Sequence, residues 1–251
     1  MSVISLDLPS AGPEPIPLDT AVAAVLGYAR GRRPLHFRAP NARTGRWVEL
    51  PAFGYERFDL RPGSADPLGE PDILTAEGLH GRLDPSAWTA MRSLLDDVRP
   101  LADAASERAA GRPFPDLPDD EFSVLEEPGT VGALLRQIWV LATETSGVSP
   151  QHVAAALHSR QPSLFPLLNR TTRWQLLPHV REGDSGVEAV IHRELRANVA
   201  AFHAIQEALT TDGVELTVLR LHDLLLWLSG SLRLSHAVAL GQALQRGSRP
   251  V

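Results

Sequence analysis

Apolar positions recur at helical spacing along most of the chain, and each recurring set is bounded by residues that start or stop helices. After Asp19, which can cap a helix, Ala21, Val22, Val25, Leu26 and Ala29 repeat up to Arg30, where Gly31 and Pro34 end the element. Thr75 caps a shorter helix reaching about Gly81. Asp84 followed by Pro85 is a stronger start, because aspartate caps and proline fits the first helical position. Trp88, Met91, Leu94, Leu95 and Val98 then form one face, and helix resumes after Pro100 through Ala110. Thr130 caps an element with Leu134, Leu135, Ile138, Trp139 and Leu141 inward and Arg136 outward. Ser185 and Glu188 fit a capping box opening a long helix, with Val187, Ile191, Leu195, Val199, Phe202, Ile205 and Leu209 on one side. Asp212-Gly213 turns the chain. Leu216 to Leu228 is apolar nearly all round, broken by Arg220, His222 and Asp223, and reads as the central buried helix; Ser231 to Gln245 adds another.

The intervening stretches carry little strand pattern. Pro9, Pro13, Pro15 and Pro17 make residues 1–17 an extended, proline-rich lead-in. From 36 to 58 short aromatic and β-branched pieces flank Asn41 to Gly45, as a small β-hairpin would. Residues 61–72 read as loop, and Gly111 to Pro118 cannot be regular. The expectation is a mainly α, single-domain helical bundle over 18–245, with a hairpin-like element at 131–174, closing helices over 185–245 and a tail at 246–251.

Composition narrows the chemistry. Hydrophobic residues at 43% can fill a core for the 251-residue chain, and the absence of cysteine excludes disulfides, thiolate nucleophiles and cysteine-bound metals. All 24 basic residues are arginine. Without lysine, a side-chain Schiff base, a pyridoxal phosphate anchor and a P-loop lysine are excluded, leaving the N-terminal amine. The arginine, alanine, leucine and proline bias fits a GC-rich genome. A net charge of −6 opposes non-specific binding to nucleic acid. Arg30, Arg32, Arg33, Arg38, Arg43 and Arg46 are nevertheless concentrated, as a phosphate-binding surface or as a solvated loop. Met1 to Asp7 has no secretory pattern, and no apolar run reaches the roughly 20 residues of a membrane span. A soluble, cytoplasmic protein without a membrane partner is expected.

The sharpest local pattern runs from Gly147 to Asn169. Gly147-Val148-Ser149-Pro150 lies between two helical patterns, either as a plain helix-to-helix turn or as a helix-hairpin-helix that aims backbone N–H groups at a phosphate. Gly147 and Ser149 are then, with Arg32 and Arg33, the candidate phosphate or DNA contacts, although Pro150 has no N–H to donate. Pro162 and Pro166 straighten the chain and set Asn169 before the next helix, where it serves as an N-cap or presents a polar side chain. His158 and Arg160 precede the prolines, as ligand contacts or as helix-end cations. Arg173 completes the candidate ligand-binding set with Asn169, Arg160 and His158.

Gly147-Val148, Leu157-His158, Arg160, Pro162, Leu164, Pro166 and Asn169 resemble a domain-of-unknown-function family of uncharacterised, mainly actinobacterial proteins. There a Gly-Val-Gly hairpin leads through Ser-Lys-Leu-Leu to basic-Pro-x-Leu-x-Pro-x-x-Asp. Leu219 to Leu228 resembles the family's closing helix and Asp72 to Ala76 the start of its front half, so the likeness spans roughly Tyr28 to Ser229. That family's core is similar to the helix-hairpin-helix DNA glycosylases, a likeness of fold. Carried over, the glycosylase aspartate falls on Asn169 and the family lysine on Ala155, so the resemblance implies a frame without its acid or its amine. Trp139, Phe165 and Trp174 are candidates to stack a flipped base, or are core.

Asp223, inside a leucine run, is either paired with Arg220 or carries a raised pKa that marks a site; it is the remaining catalytic candidate. Glu188 and His192 are four apart without a third ligand, and no metal or cofactor is expected. Three functions stand open. The first is a non-catalytic, glycosylase-like module that binds nucleic acid or a protein partner. The second is a monofunctional glycosylase or other nucleobase- or nucleoside-processing enzyme using Asp223, and the third a small-molecule enzyme on the same frame.

Overall fold

The computed structural model describes residues 4–41, 43–61, 67–123 and 128–247. Its helices are α1 (Leu18–Arg30), α2 (Glu70–His80), α3 (Pro85–Ala109), α4 (Val131–Glu144), α5 (Pro150–Arg160), α6 (Arg170–Leu176), α7 (Val187–Ala197), α8 (Val199–Thr210), α9 (Val218–Gly230) and α10 (Leu234–Gly247). Two antiparallel strand pairs accompany them: β1 (Ser5–Leu6) with β2 (Ile16–Pro17), and β3 (Arg32–Phe37) with β4 (Arg46–Pro51). The chain is mainly α, as its periodicity predicts.

The interior forms around α9, which Thr217 caps by accepting from the Arg220 N–H. Every α9 residue from Val218 to Leu226 is buried, because α1, α6, α7, α8 and α10 surround it. Helices α1 and α10 pack backbone to backbone. A Cβ on Gly27 would stand 1.9 Å from the Ala237 carbonyl oxygen, and one on Gly241 1.9 Å from that of Ala23. No single helix among the described residues is long and apolar enough to cross a membrane.

Several boundaries differ from the sequence reading, each for a local reason. Residues 4–17 are not a lead-in outside the domain: Leu6, Leu8 and Ile16 are buried in the common core. Asn198 holds this segment, accepting from the Asp7 N–H and donating to the Asp7 carbonyl, while Ser10 donates to Glu194 through both N–H and Oγ. The same Asn198 separates α7 from α8, so the expected long helix is two. Ser185 and Glu188 form no capping box. Gly186 occupies the N-cap position, which puts Glu188 at the second helical residue, buried, with its carboxyl pushed up by loss of solvent.

Helix α2 starts at Glu70, where Asp72 accepts from the Gly69 N–H, and Thr75 lies inside it, its hydroxyl turned back to the Pro71 carbonyl. Helix α3 continues through Pro100 because both Pro100 and Asp96, whose carbonyl loses a donor, are exposed to water. Between 111 and 118, where no regular element was expected, the chain forms a 3-10 turn at Phe114–Asp116 and is anchored, with Phe114 and Leu117 fully buried. The expected β-hairpin is present but begins earlier, at Arg32, and 52–58 is turn and 3-10 helix instead of strand. In the expected loop 61–72, positions 62–66 lie outside the described residues, as do 1–3 of the lead-in and 248–251 of the tail.

Candidate functional site

Five separate elements bring arginine to one cavity of about 450 Å³. Arg33 comes from the base of β3, Arg57 from the 3-10 turn Tyr55–Arg57, and Arg170 from the first turn of α6. Arg220 comes from α9, and Arg233 from the turn between α9 and α10. Arg33, Arg57, Arg170 and Arg233 are exposed, whereas Arg220 is buried at 5%. Phe53, Tyr28 and Trp227 supply an aromatic wall, with Phe53 and Trp227 edge to face at 6.0 Å and the Arg233 guanidinium 5.3 Å above the Trp227 ring. No carboxylate is among the lining residues.

The local fold explains each placement. Pro162 and Pro166 carry the chain to Asn169, whose Oδ1 accepts from the Thr171 and Thr172 N–H groups at 2.8 and 3.1 Å, while Thr172 Oγ1 accepts from the Asn169 N–H. This capping box fixes the start of α6, so Asn169 and Arg170 meet the pocket together. His80, the last residue of α2, forms part of the wall; burial, then the charge of His152 and Arg220, lower it to about 4, so it is a neutral imidazole at physiological pH.

Arg220 is held by Asp59, which is not among the lining residues, and by Tyr28 of the aromatic wall. Its Nε donates to Asp59 at 2.7 Å and its Nη2 to the Tyr28 hydroxyl at 2.9 Å, and Tyr28 donates to Asp59 at 2.6 Å. Asp223 Oδ2 forms an ion pair with Arg220 Nη1 at 3.6 Å, outside hydrogen-bond range, and has no hydrogen-bond partner. Burial pushes the Asp223 carboxyl up to about 8 against the opposing pull of Arg220. Burial alone would lower Arg220, yet Asp59 and Tyr28 outweigh it and keep the guanidinium charged. Asp59 thus pairs with Arg220 at the base, while Arg33, Arg57, Arg170 and Arg233 share a lining that holds no carboxylate.

The sequence candidates separate accordingly. Asn169 and Arg33 line the pocket, and Asp223 stands behind it beyond Arg220. Arg32 pairs with Glu56 at 2.5 Å. Arg160 is taken up by Asp72, at 2.6 and 2.7 Å, and by the Pro67 carbonyl, while His158 is buried with Nδ1 2.6 Å from the Phe165 carbonyl and its ring stacked on Phe58. Both are structural in position, away from the cavity. Arg173 lies 4.7 Å over the Trp139 ring. Gly147 makes a positive-φ turn and Ser149 precedes α5 without a side-chain cap; neither lines the pocket. Trp139 and Phe165 border a separate apolar cavity of about 30 Å³, too small for a base, and Trp174 is 64% exposed. The ring of His192 is bonded through Nε2 to the Leu117 carbonyl. Sequence reading missed Arg57, Arg170, Arg233, Phe53 and Trp227, whose common property is spatial; only the adjacency of Arg170 to Asn169 carried a signal. Comparison with protein-family models, curated proteins and solved structures finds no match to this chain.

Proposed function

We propose that the protein binds a phosphorylated nucleoside in the arginine pocket, phosphates against the rim and base against the aromatic wall, and that it performs no base excision. One observation carries the reading: arginines from five elements converge on a cavity with no lining carboxylate. Guanidinium groups match phosphate oxygens in bidentate geometry, and aromatic faces accept flat rings. A volume of about 450 Å³ also falls within the roughly 300–1,000 Å³ typical of small-molecule sites.

The frame is taken as glycosylase-like on the order helix, Gly147 turn, helix, proline stretch and capping Asn169. Within that frame the neutral Asn169 amide already has its oxygen engaged in the cap, and Ala155, fully buried, brings no amine. Both support binding without glycosidic cleavage.

Calorimetry and tryptophan fluorescence with AMP, ADP and ATP test this. Affinity should rise with phosphate number. Arg57→Ala or Arg233→Ala should weaken binding about tenfold or more, the loss of a charge-assisted hydrogen bond. Trp227→Phe should remove most of the fluorescence change. Equal binding of the uncharged nucleoside, or no binding at millimolar nucleotide, would refute the reading. Base release from lesion-bearing DNA that disappears in Asp223→Asn would overturn the non-catalytic part.

A further inference from the structure

Beside the pocket, β3 and β4 project as a two-stranded ribbon with nearly every residue exposed on both faces. A hairpin of this kind is marginal without a third layer. It is held at its base, where the Ala52 N–H donates to the Gly31 carbonyl and Arg32 meets Glu56. The register assigns its faces. Arg33 opposes Leu50, Leu35 opposes Val48 and Phe37 opposes Arg46, so these six share one face. Leu35 is 47% exposed and Phe37 49%. His36, Trp47 and Glu49 fall on the other face.

Two features say what fits the first face. Residues 32–51 contain five arginines and one glutamate, and with Glu56 paired to Arg32 the ribbon still carries a net +3 in a chain of net −6, so it attracts a polyanion. The face is also continuous with the pocket, because Arg33 belongs to both. An apolar patch ending in an aromatic ring, with an arginine at either end, suits unstacked bases above phosphates.

We infer that the ligand is the end of a single-stranded nucleic acid, its terminal nucleotide in the pocket and the following ones lying along Arg33, Leu35, Phe37 and Arg46. The inference rests on the nucleotide reading of the pocket and extends it. A duplex fits less well, since its bases are stacked on each other and cannot reach Phe37.

Anisotropy titrations of the full chain with labelled oligodeoxyuridylate and oligouridylate of about eight nucleotides, within the span of single-strand sites, test it. The strand should bind at least about tenfold tighter than the mononucleotide by adding phosphate contacts. Phe37→Ala should weaken it about fivefold or more, the scale of base–aromatic stacking. Arg46→Ala should reduce the salt slope by about 0.7, one phosphate on a single strand. Neither variant should alter mononucleotide affinity, and Trp47→Ala, on the opposite face, should leave both unchanged. A preference between the two oligomers assigns the sugar and supports the inference in either sense.

An oligomer no tighter than the mononucleotide, with Phe37→Ala silent, overturns the inference and leaves the nucleotide reading intact. Strand binding lost in Phe37→Ala without any mononucleotide affinity retires the pocket reading and keeps the strand surface. Tighter binding of duplex, loss in Trp47→Ala alone, or a dimer that Phe37→Ala dissociates would each overturn the strand assignment.

Discussion

Asp223→Asn should stabilise the protein at neutral and alkaline pH, and the gain should vanish in acid. The carboxyl is buried, its Oδ2 lacks a hydrogen-bond partner, and burial pushes its pKa up to about 8, against roughly 4 in an unfolded chain. A raised folded pKa makes a contribution that is fully present below the unfolded value and is lost as pH rises, the loss being complete near 8. Each pH unit inside that window removes about 1.4 kcal/mol, so between about pH 5 and pH 8 the wild type should lose about 4 kcal/mol that the amide variant keeps. Asparagine retains the oxygen that accepts from the Leu167 N–H and cannot ionise. Urea unfolding of both proteins across this range, with equal m-values, gives the difference directly. His80 and His158, both lowered to about 4 by burial, titrate in both proteins and cancel. A wild-type–variant difference that stays constant with pH would falsify the reasoning.

Three other outcomes follow from the packing. Asp72→Ala or Arg160→Ala leaves an unpaired charge at a buried ion pair and should cost about 3–5 kcal/mol, with the double variant less damaged than their sum in a urea double-mutant cycle. Asn169→Ala should lose about 1 kcal/mol of stability by removing the α6 cap, whereas Asn169→Asp should keep it. Gly241→Ala places a methyl against the Ala23 carbonyl and should cost about 3 kcal/mol, read as a lowered Tm, since backbone instead of a flexible side chain would have to give way.

Features that depend on residues three or four apart were legible in the sequence. Asp84 accepts from the Ser86 and Ala87 N–H groups, Thr130 from Ala133, and Asn169 from Thr172, because a cap needs no distant partner. The central role of α9 was legible from its unbroken apolar circumference. The pairing of Asp223 with Arg220, three residues apart on α9, was legible too and is present at 3.6 Å, whereas the nearer and stronger partner of Arg220, Asp59, lies far away in the chain and was not. Ser185 and Glu188 have the spacing of a box, but Gly186 takes the cap and shifts the register by one. Leu6 and Leu8 sit among prolines, and only the Asn198 and Glu194 side chains reveal why that segment docks. The pocket was legible at Arg33 and Asn169 alone; its other arginines are ordinary surface residues until the fold gathers them.

The close contact of α1 with α10 also bears on how the protein is made. As α1 leaves the ribosome, the helix that covers its Gly27 ridge has not been synthesised, and nor have α8 and α9, its other helical neighbours. At about 5–20 residues per second, the wait is on the order of ten seconds or more. During that time Ala24 and Val25, buried in the finished protein, lack the α-helices that cover α1, while Tyr28 gains the nearby 3-10 turn through Tyr55. The nascent chain therefore presents an apolar stripe early and covers it only once α10 has emerged, so completion of this fold waits on a helix more than 200 residues downstream of α1.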